Sequence, residues 1–344
     1  MTTPSSHTQG SAHGRIIQSS FRAPRWARNR HIQTIWPRFL QQRLPLSYTT
    51  ERVKLDDGDF IDLAWGPAPA TLTGMVVMFH GLEGSIKSHY ANDMMATLSD
   101  NGWQVVLMHF RGCSGEVNLT SRAYHSGETG DPTFIINQLH KRYPDVPKVA
   151  LGFSLGGNML LKLLGENPDS LGLKAAVAVS APLKLDECAS SVDQGFSKVY
   201  QKYLIRSMKQ NLLQKMQRID YRDILQISAH EVNNIHTFWQ FDERVTAPLH
   251  GFADARDYYE QCSAYFYLKA IHSPTLIIHA LDDPFMNHTI IPPESELGRH
   301  VTVELSENGG HVGFMSGTPA RPQIWLQQRV KRYFSDFLPT LESL

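Results

Sequence analysis

The 344-residue sequence holds only three cysteines, Cys113, Cys188 and Cys262, spaced too widely for a C-x-x-C pair and too few for a disulfide framework. A reducing cytoplasm is the expected setting. No apolar stretch approaches the roughly 18 residues of a membrane span, and the first thirty residues lack the apolar core of a secretory signal. The reading is a soluble chain, peripheral to a membrane at most. Net charge is missing too: Lys plus Arg and Asp plus Glu both number 33. That removes the broad positive field with which a dedicated nucleic-acid binder collects phosphates, so no nucleic-acid partner is expected. No repeat of 20–50 residues is present, which excludes solenoids and propellers.

Acid is absent from one region in particular. Residues 1–50 contain no Asp or Glu and seven arginines, from Arg15 to Arg43. Such a start is shared by transit peptides and by arms that pack on a domain. Ile32, Ile35, Trp36 and Phe39 recur at helical spacing and predict a packed helix after a disordered tail over residues 1–14.

What the chain has in abundance is alternation. Short apolar runs at Met75–Phe79, Gln104–Met108, Lys148–Leu151, Ala175–Val179, Thr275–Ile278 and Val301–Leu305 read as parallel strands buried on both faces. Helical spacing at Ala91–Leu98, Phe134–Leu139, Leu155–Leu164 and Ile324–Phe337 separates them. The predicted fold is a doubly wound, mostly parallel α/β sheet. About ninety residues between Ser180 and Ser273 break the rhythm, rich in aromatics and without a comparable strand. They are expected to form a helical cap over residues 181–270, on a core made of 15–180 and 271–344.

The sharpest local pattern is Gly152-Phe-Ser-Leu-Gly-Gly157, between a strand and an apolar-periodic helix. A strand that turns abruptly into a helix holds its turn residue in a strained conformation, and Gly152 and Gly156 supply room on either side. This arrangement presents Ser154 at a helix N-terminus as a nucleophile. Serine needs a base, and the base needs an acid to fix its tautomer. His311 follows the strand Val301–Leu305 in a glycine-bearing loop and is the expected base. Asp282 and Asp283 both follow the strand at Thr275; Asp283 is preferred as the acid, leaving the other as a cap or turn residue. The oxyanion hole is assigned to the N–H groups of Leu82 and Leu155. His80 is read as a brace for its loop, and no metal or cofactor is expected.

Other stretches are read more plainly. Arg111–Gly115 and His125–Thr129 are expected to be loop architecture rather than binding elements, and Cys113 an inert buried thiol. Lys198, Lys202, Arg206 and Lys209 form a basic stripe at helical spacing. It reads as a solvated helix face, with contact to an anionic lipid surface as the alternative. No obligate protein partner is evident.

Arg30–Thr34, His80–Ser85, Met108–Glu116, Tyr124–Thr129, Gly152–Asn158, His250–Asp254, Asp282–Met286 and Gly309–Phe314 together carry a resemblance that spans nearly the whole sequence. By these segments the chain resembles the YheT-type family of α/β-fold hydrolases, bacterial relatives of eukaryotic lipid esterases and acyltransferases. The resemblance implies a triad of Ser154, Asp283 and His311. It also implies carboxylic-ester hydrolysis on short- or medium-chain acyl esters or phospholipid acyl groups, with the small-molecule ester as the partner. Acyl transfer to an alcohol and a non-catalytic binding scaffold are the alternatives.

Overall fold

The computed structural model describes residues 12–338. The expected tail falls almost wholly outside them. The described residues form eleven strands: β1 (Arg15–Gln18), β2 (Thr49–Lys54), β3 (Phe60–Trp65), β4 (Gly74–Phe79), β5 (Trp103–Met108), β6 (Lys148–Phe153), β7 (Ala176–Val179), β8 (Thr275–Ala280), β9 (Val301–Ser306), β10 (Met315–Thr318) and β11 (Arg321–Ile324). Nine form one sheet in the order β1-β9-β8-β7-β6-β4-β5-β3-β2. From β1 to β5 every pairing is parallel, and β3 and β2 are added antiparallel at the far edge.

The continuous apolar runs are explained by helices on both faces. Alternation along β4 sends Met75, Val77 and Phe79 to one face and Val76 and Met78 to the other. After α1 (Arg30–Phe39), three helices follow, α2 (His89–Ser99), α3 (Gly130–Arg142) and α4 (Leu155–Glu166). The first face is covered by α3 and α4 through Ile135, Leu139, Met159 and Leu160. The second is covered by α2, through Met94 and Leu98, and by Leu326, Val330 and Phe334 of the last helix. That helix runs Trp325–Ser335, a residue later at its start than expected because β11 occupies Ile324.

Residues 180–274 carry helices and no strand. They are α5 (Leu185–Ser191), α6 (Ser197–Met216), α7 (Arg222–Leu225), α8 (Ala229–Asn233), α9 (Phe238–Phe241), α10 (Ala247–His250) and α11 (Ala255–Cys262), with a π-helical turn before α10; the helix Trp325–Ser335 is α12. The insertion has its own apolar cluster, including Ile205, Leu212, Tyr221, Val232 and Phe241.

Helix α1 packs on the core, but not by the expected side. Gln33, Thr34 and Pro37 are its buried residues, while Ile32, Ile35 and Trp36 are half-buried and Phe39 is 65% exposed. The reason is polar: the Gln33 side chain exchanges hydrogen bonds with the Met315 backbone at 2.6 and 3.0 Å, tying the helix to the segment after His311.

Candidate active site

The carboxyl ends of the parallel strands supply the site. Strand β6 ends at Phe153, and Ser154 turns into α4 with φ 51° and ψ −121°, a conformation that L-residues other than glycine rarely adopt. The flanking glycines are required by packing. A Cβ on Gly152 would run into the Gly156 carbonyl, and one on Gly156 into the His80 carbonyl. Sequence spacing and backbone geometry agree here.

His311 reaches the turn from the loop after β9. Its Nε2 lies 3.0 Å from Ser154 Oγ and its Nδ1 2.8 Å from Asp283 Oδ2. Asp283 is 1% exposed, and its other oxygen accepts the Phe285 N–H at 2.9 Å. Of the two aspartates, Asp283 is the one whose side chain reaches the His311 ring. Asp282 instead accepts the Gly310 N–H at 2.9 Å and the Asn308 amide, stapling the histidine loop; burial raises its carboxyl above the usual range.

That loop is held under strain. Val312, a β-branched residue, has φ 59°, and Phe314 has φ 45°. Ser180, itself at φ 49°, accepts the Val312 N–H at 3.1 Å, and Thr34 of α1 accepts the His311 N–H at 3.0 Å. The ring of Phe285 lies 4.1 Å from the His311 ring. Thr34 and Phe285 were not singled out from the sequence, although both fall within the segments that carry the family resemblance. The Thr34 contact spans 277 residues of sequence.

The loop after β4 faces the same turn. A Cβ on Gly81 would come 3.1 Å from Ser154 Cβ, so the loop and the turn are in contact. Tyr90 OH accepts the Gly81 N–H at 2.8 Å. Neither Leu82 nor Leu155 donates its N–H to another group among the described residues. His80 is fully buried; its Nδ1 lies 2.7 Å from the Gly81 carbonyl and its Nε2 takes the Phe110 N–H at 3.1 Å, the bracing role expected. Burial lowers it to about 3, so it is neutral at physiological pH.

Glu83 is a residue that sequence reasoning passed over. It has φ 54°, and its half-buried carboxylate accepts hydrogen bonds from Tyr124 OH at 2.7 Å, Ser207 Oγ at 2.8 Å and the Asn211 amide. Burial raises its carboxyl despite those donors. Ser207 and Asn211 lie on α6, so one side chain ties the loop beside Ser154 to the helical insertion.

Between the strand ends and the insertion lies a cavity of about 200 Å³. Ser154, Leu82 and Leu155 lie on the core side, and Leu204, Met208 and Leu212 of α6 on the other. Arg111 and His125 also line it, yet both belong to loop scaffolding. Arg111 is bidentate to Asp131 at 2.7 and 2.8 Å and reaches Asp57 and Asp59. Cys113 is half-buried rather than buried, and desolvation pushes its thiol well above the usual value. Lys209 departs from the solvated stripe: its ammonium donates to the carbonyls of Asn233 and Ile235, both at 2.8 Å. No group of three or more His, Cys, Asp or Glu side chains with the geometry of a metal site occurs among the described residues.

A strand-turn-helix serine under a helical insertion defines a class before any comparison is made. A family model for the alpha/beta hydrolase fold matches residues 74–318, and the chain belongs to that family. It is 45% identical to YheT of Escherichia coli (strain K12), provisionally named an esterase, over 90% of this chain and 91% of that one. Phospholipase ABHD3 of Mus musculus is 27% identical over 93% of this chain and 79% of its own. Monoacylglycerol lipase ABHD2 of Mus musculus is 25% identical over 90% and 77%. Among solved structures, the Pyrococcus furiosus esterase Pf2001 superposes with a TM-score of 0.56 at 16% identity, covering 88% of this chain and 98% of that one, a likeness of fold.

Proposed function

We propose that the protein is a serine-dependent carboxylic-ester hydrolase that uses Ser154, His311 and Asp283 as nucleophile, base and acid. The observation that carries the reading is the relay of 3.0 and 2.8 Å contacts from Ser154 through His311 to Asp283 at the edge of an apolar cavity. In this reading His311 Nδ1–H donates to Asp283, leaving Nε2 to take the Ser154 proton as the oxygen attacks the ester carbonyl. The N–H groups of Leu82 and Leu155 hold the oxyanion, aided by the N-terminus of α4. His311 then returns the proton to the leaving alkoxide, and water repeats the sequence to release the acid.

The insertion over residues 181–270 acts as the cap. Its α6 side chains give the acyl chain an apolar wall and exclude water from the acyl-enzyme. The cavity exceeds the ~150 Å³ that accommodates a benzene ring in a dry protein interior, which supports short- to medium-chain acyl groups. The names of the esterase, phospholipase and lipase relatives support an ester as substrate.

The test is hydrolysis of p-nitrophenyl esters of increasing acyl length by wild type and Ser154→Ala. Turnover is expected to fall by about 10⁴-fold or more in the variant, with a preference for short or medium chains in the wild type. Undiminished activity in Ser154→Ala would overturn the assignment. Ethanol added to the assay separates hydrolysis from acyl transfer by the products formed.

A further inference from the structure

We propose that the outer faces of α1 and α6 form a docking surface for an anionic lipid membrane. Five apolar side chains that a monomer would be expected to cover lie open across these two helices and the turns that flank them. Phe39 and Leu40 are each 65% exposed, and Phe196, Val199 and Tyr203 each slightly over half exposed. The two helices make one surface. His31 Nδ1 lies 3.0 Å from Tyr200 OH, and Arg38 donates to Tyr203 OH at 2.7 Å while its guanidinium sits over the Tyr203 ring. Scattered exposed hydrophobics need no explanation; a contiguous set at the junction of two helices does.

Charge selects the occupant. Residues 12–50 and residues 197–216 contain no Asp or Glu. Arg30, Arg38, Lys198, Lys202 and Arg206 are exposed on or beside the patch. Lys198 has a carboxylate neighbour, Asp193, at 3.9 Å, while Lys202 and Arg206 form no ion pair among the described residues. Apolar side chains ringed by exposed cations match a bilayer with anionic headgroups, where the rings and aliphatic groups enter the acyl boundary and the cations meet the phosphates. A nucleic acid would use the cations and leave Phe39, Leu40 and Val199 without a partner.

The surface also adjoins the chemistry. Phe196 and Tyr200 both contact His31; Tyr200 contacts Phe285 with ring centroids 5.0 Å apart, and the Phe285 ring packs tilted against His311. Docking would therefore bring the lipid boundary to the rim of the site. The proposal does not rest on the esterase reading, because binding is measured without turnover.

The experiment is co-sedimentation of the full chain with vesicles of phosphatidylcholine alone, or with about one third phosphatidylglycerol, at low and high salt. Binding to the anionic vesicles is expected to be about tenfold tighter at low salt and to weaken as salt screens the headgroups. Lys198→Glu/Lys202→Glu should lose about tenfold. Phe39→Ser/Leu40→Ser should lose at least about fivefold while retaining the wild-type rate on a water-soluble p-nitrophenyl ester and the wild-type unfolding temperature. Equal binding to the two vesicle types would overturn the proposal. So would binding lost in the charge variant but unaffected in the apolar one, which would assign the surface to polyanions such as RNA.

Discussion

The sheet and the helical insertion contribute to one cavity but are built differently. In the core, two apolar clusters fill opposite faces of a parallel sheet, and every member of the Ser154–His311–Asp283 relay sits on a loop that leaves a strand end. The insertion has a separate cluster around Tyr221 and Phe241. Directional polar ties reinforce the boundary between them. Glu83 holds Ser207 and Asn211, Lys215 donates to the carbonyls of Ser121 and Arg122, and Tyr221 OH donates to Ser121. Apolar burial is non-directional and tolerates sliding, whereas hydrogen bonds to fixed carbonyls and carboxylates set an orientation. The comparison teaches that the Ser154–His311–Asp283 contacts are built wholly from the sheet core, while the far wall of the cavity comes from a region keyed to that core at a few points.

The largest effect that would break this comparison concerns the core alone. Asp283→Asn should lower kcat by about 10⁴-fold by favouring the wrong His311 tautomer, whereas Asp282→Asn, which loosens only the loop, should cost roughly tenfold. Steady-state kinetics on one p-nitrophenyl ester checks both, and equal losses would mean the two carboxylates are not distinguished as described. Next in size, Gly156→Ala drives a methyl group into the His80 carbonyl and should destabilise the fold by about 3 kcal/mol, read as a lowered denaturant midpoint.

The insertion has its own, smaller signature. Asp242, buried and accepting hydrogen bonds from Tyr259 and Thr246, has its carboxyl pushed up to about 6 by desolvation. The folded chain therefore keeps this proton to higher pH than the unfolded chain does. Its contribution is greatest below the unfolded value and is lost as pH rises through about 6, a swing of roughly 2 kcal/mol between about pH 4 and 7. Asp242→Asn should flatten that part of the stability–pH curve; an unchanged curve would show that Asp242 is not the titrating group. Least in size, Glu83→Gln should reduce kcat/KM by about tenfold by weakening the tie between loop and insertion. Asn211→Ala should reproduce part of that loss if the tie, rather than the charge, matters.

Legibility in the sequence follows the same division. Central strands such as β4 and β6 announce themselves as apolar runs because both faces are buried. The strands β1 and β2 carry alternating or polar residues at the sheet edges and were invisible to that criterion. The β10–β11 hairpin, with Arg321, Pro322 and Gln323, was hidden in the same way. Ser154 and His311 are legible because each sits in a glycine-bearing turn at a strand end. Asp283 was preferred over its neighbour Asp282 from its place after a strand and from the family resemblance, and in the structure it is the aspartate that reaches His311. Glu83 and Thr34 have no local signal, since their partners are 124 and 277 residues away. The buried face of α1 was misread because a polar side won burial by satisfying backbone groups.

The contact between Thr34 and His311 also bears on how the molecule is made. The α1 helix leaves the ribosome 277 residues before the histidine it supports, and β1 waits as long for β9, its neighbour in the sheet. A growing chain therefore carries Ser154 through the next 157 residues before His311 is added. The contact between His311 and Ser154 forms only when late-emerging segments close back onto early ones, so the relay belongs to the finished fold and to no N-terminal part of it.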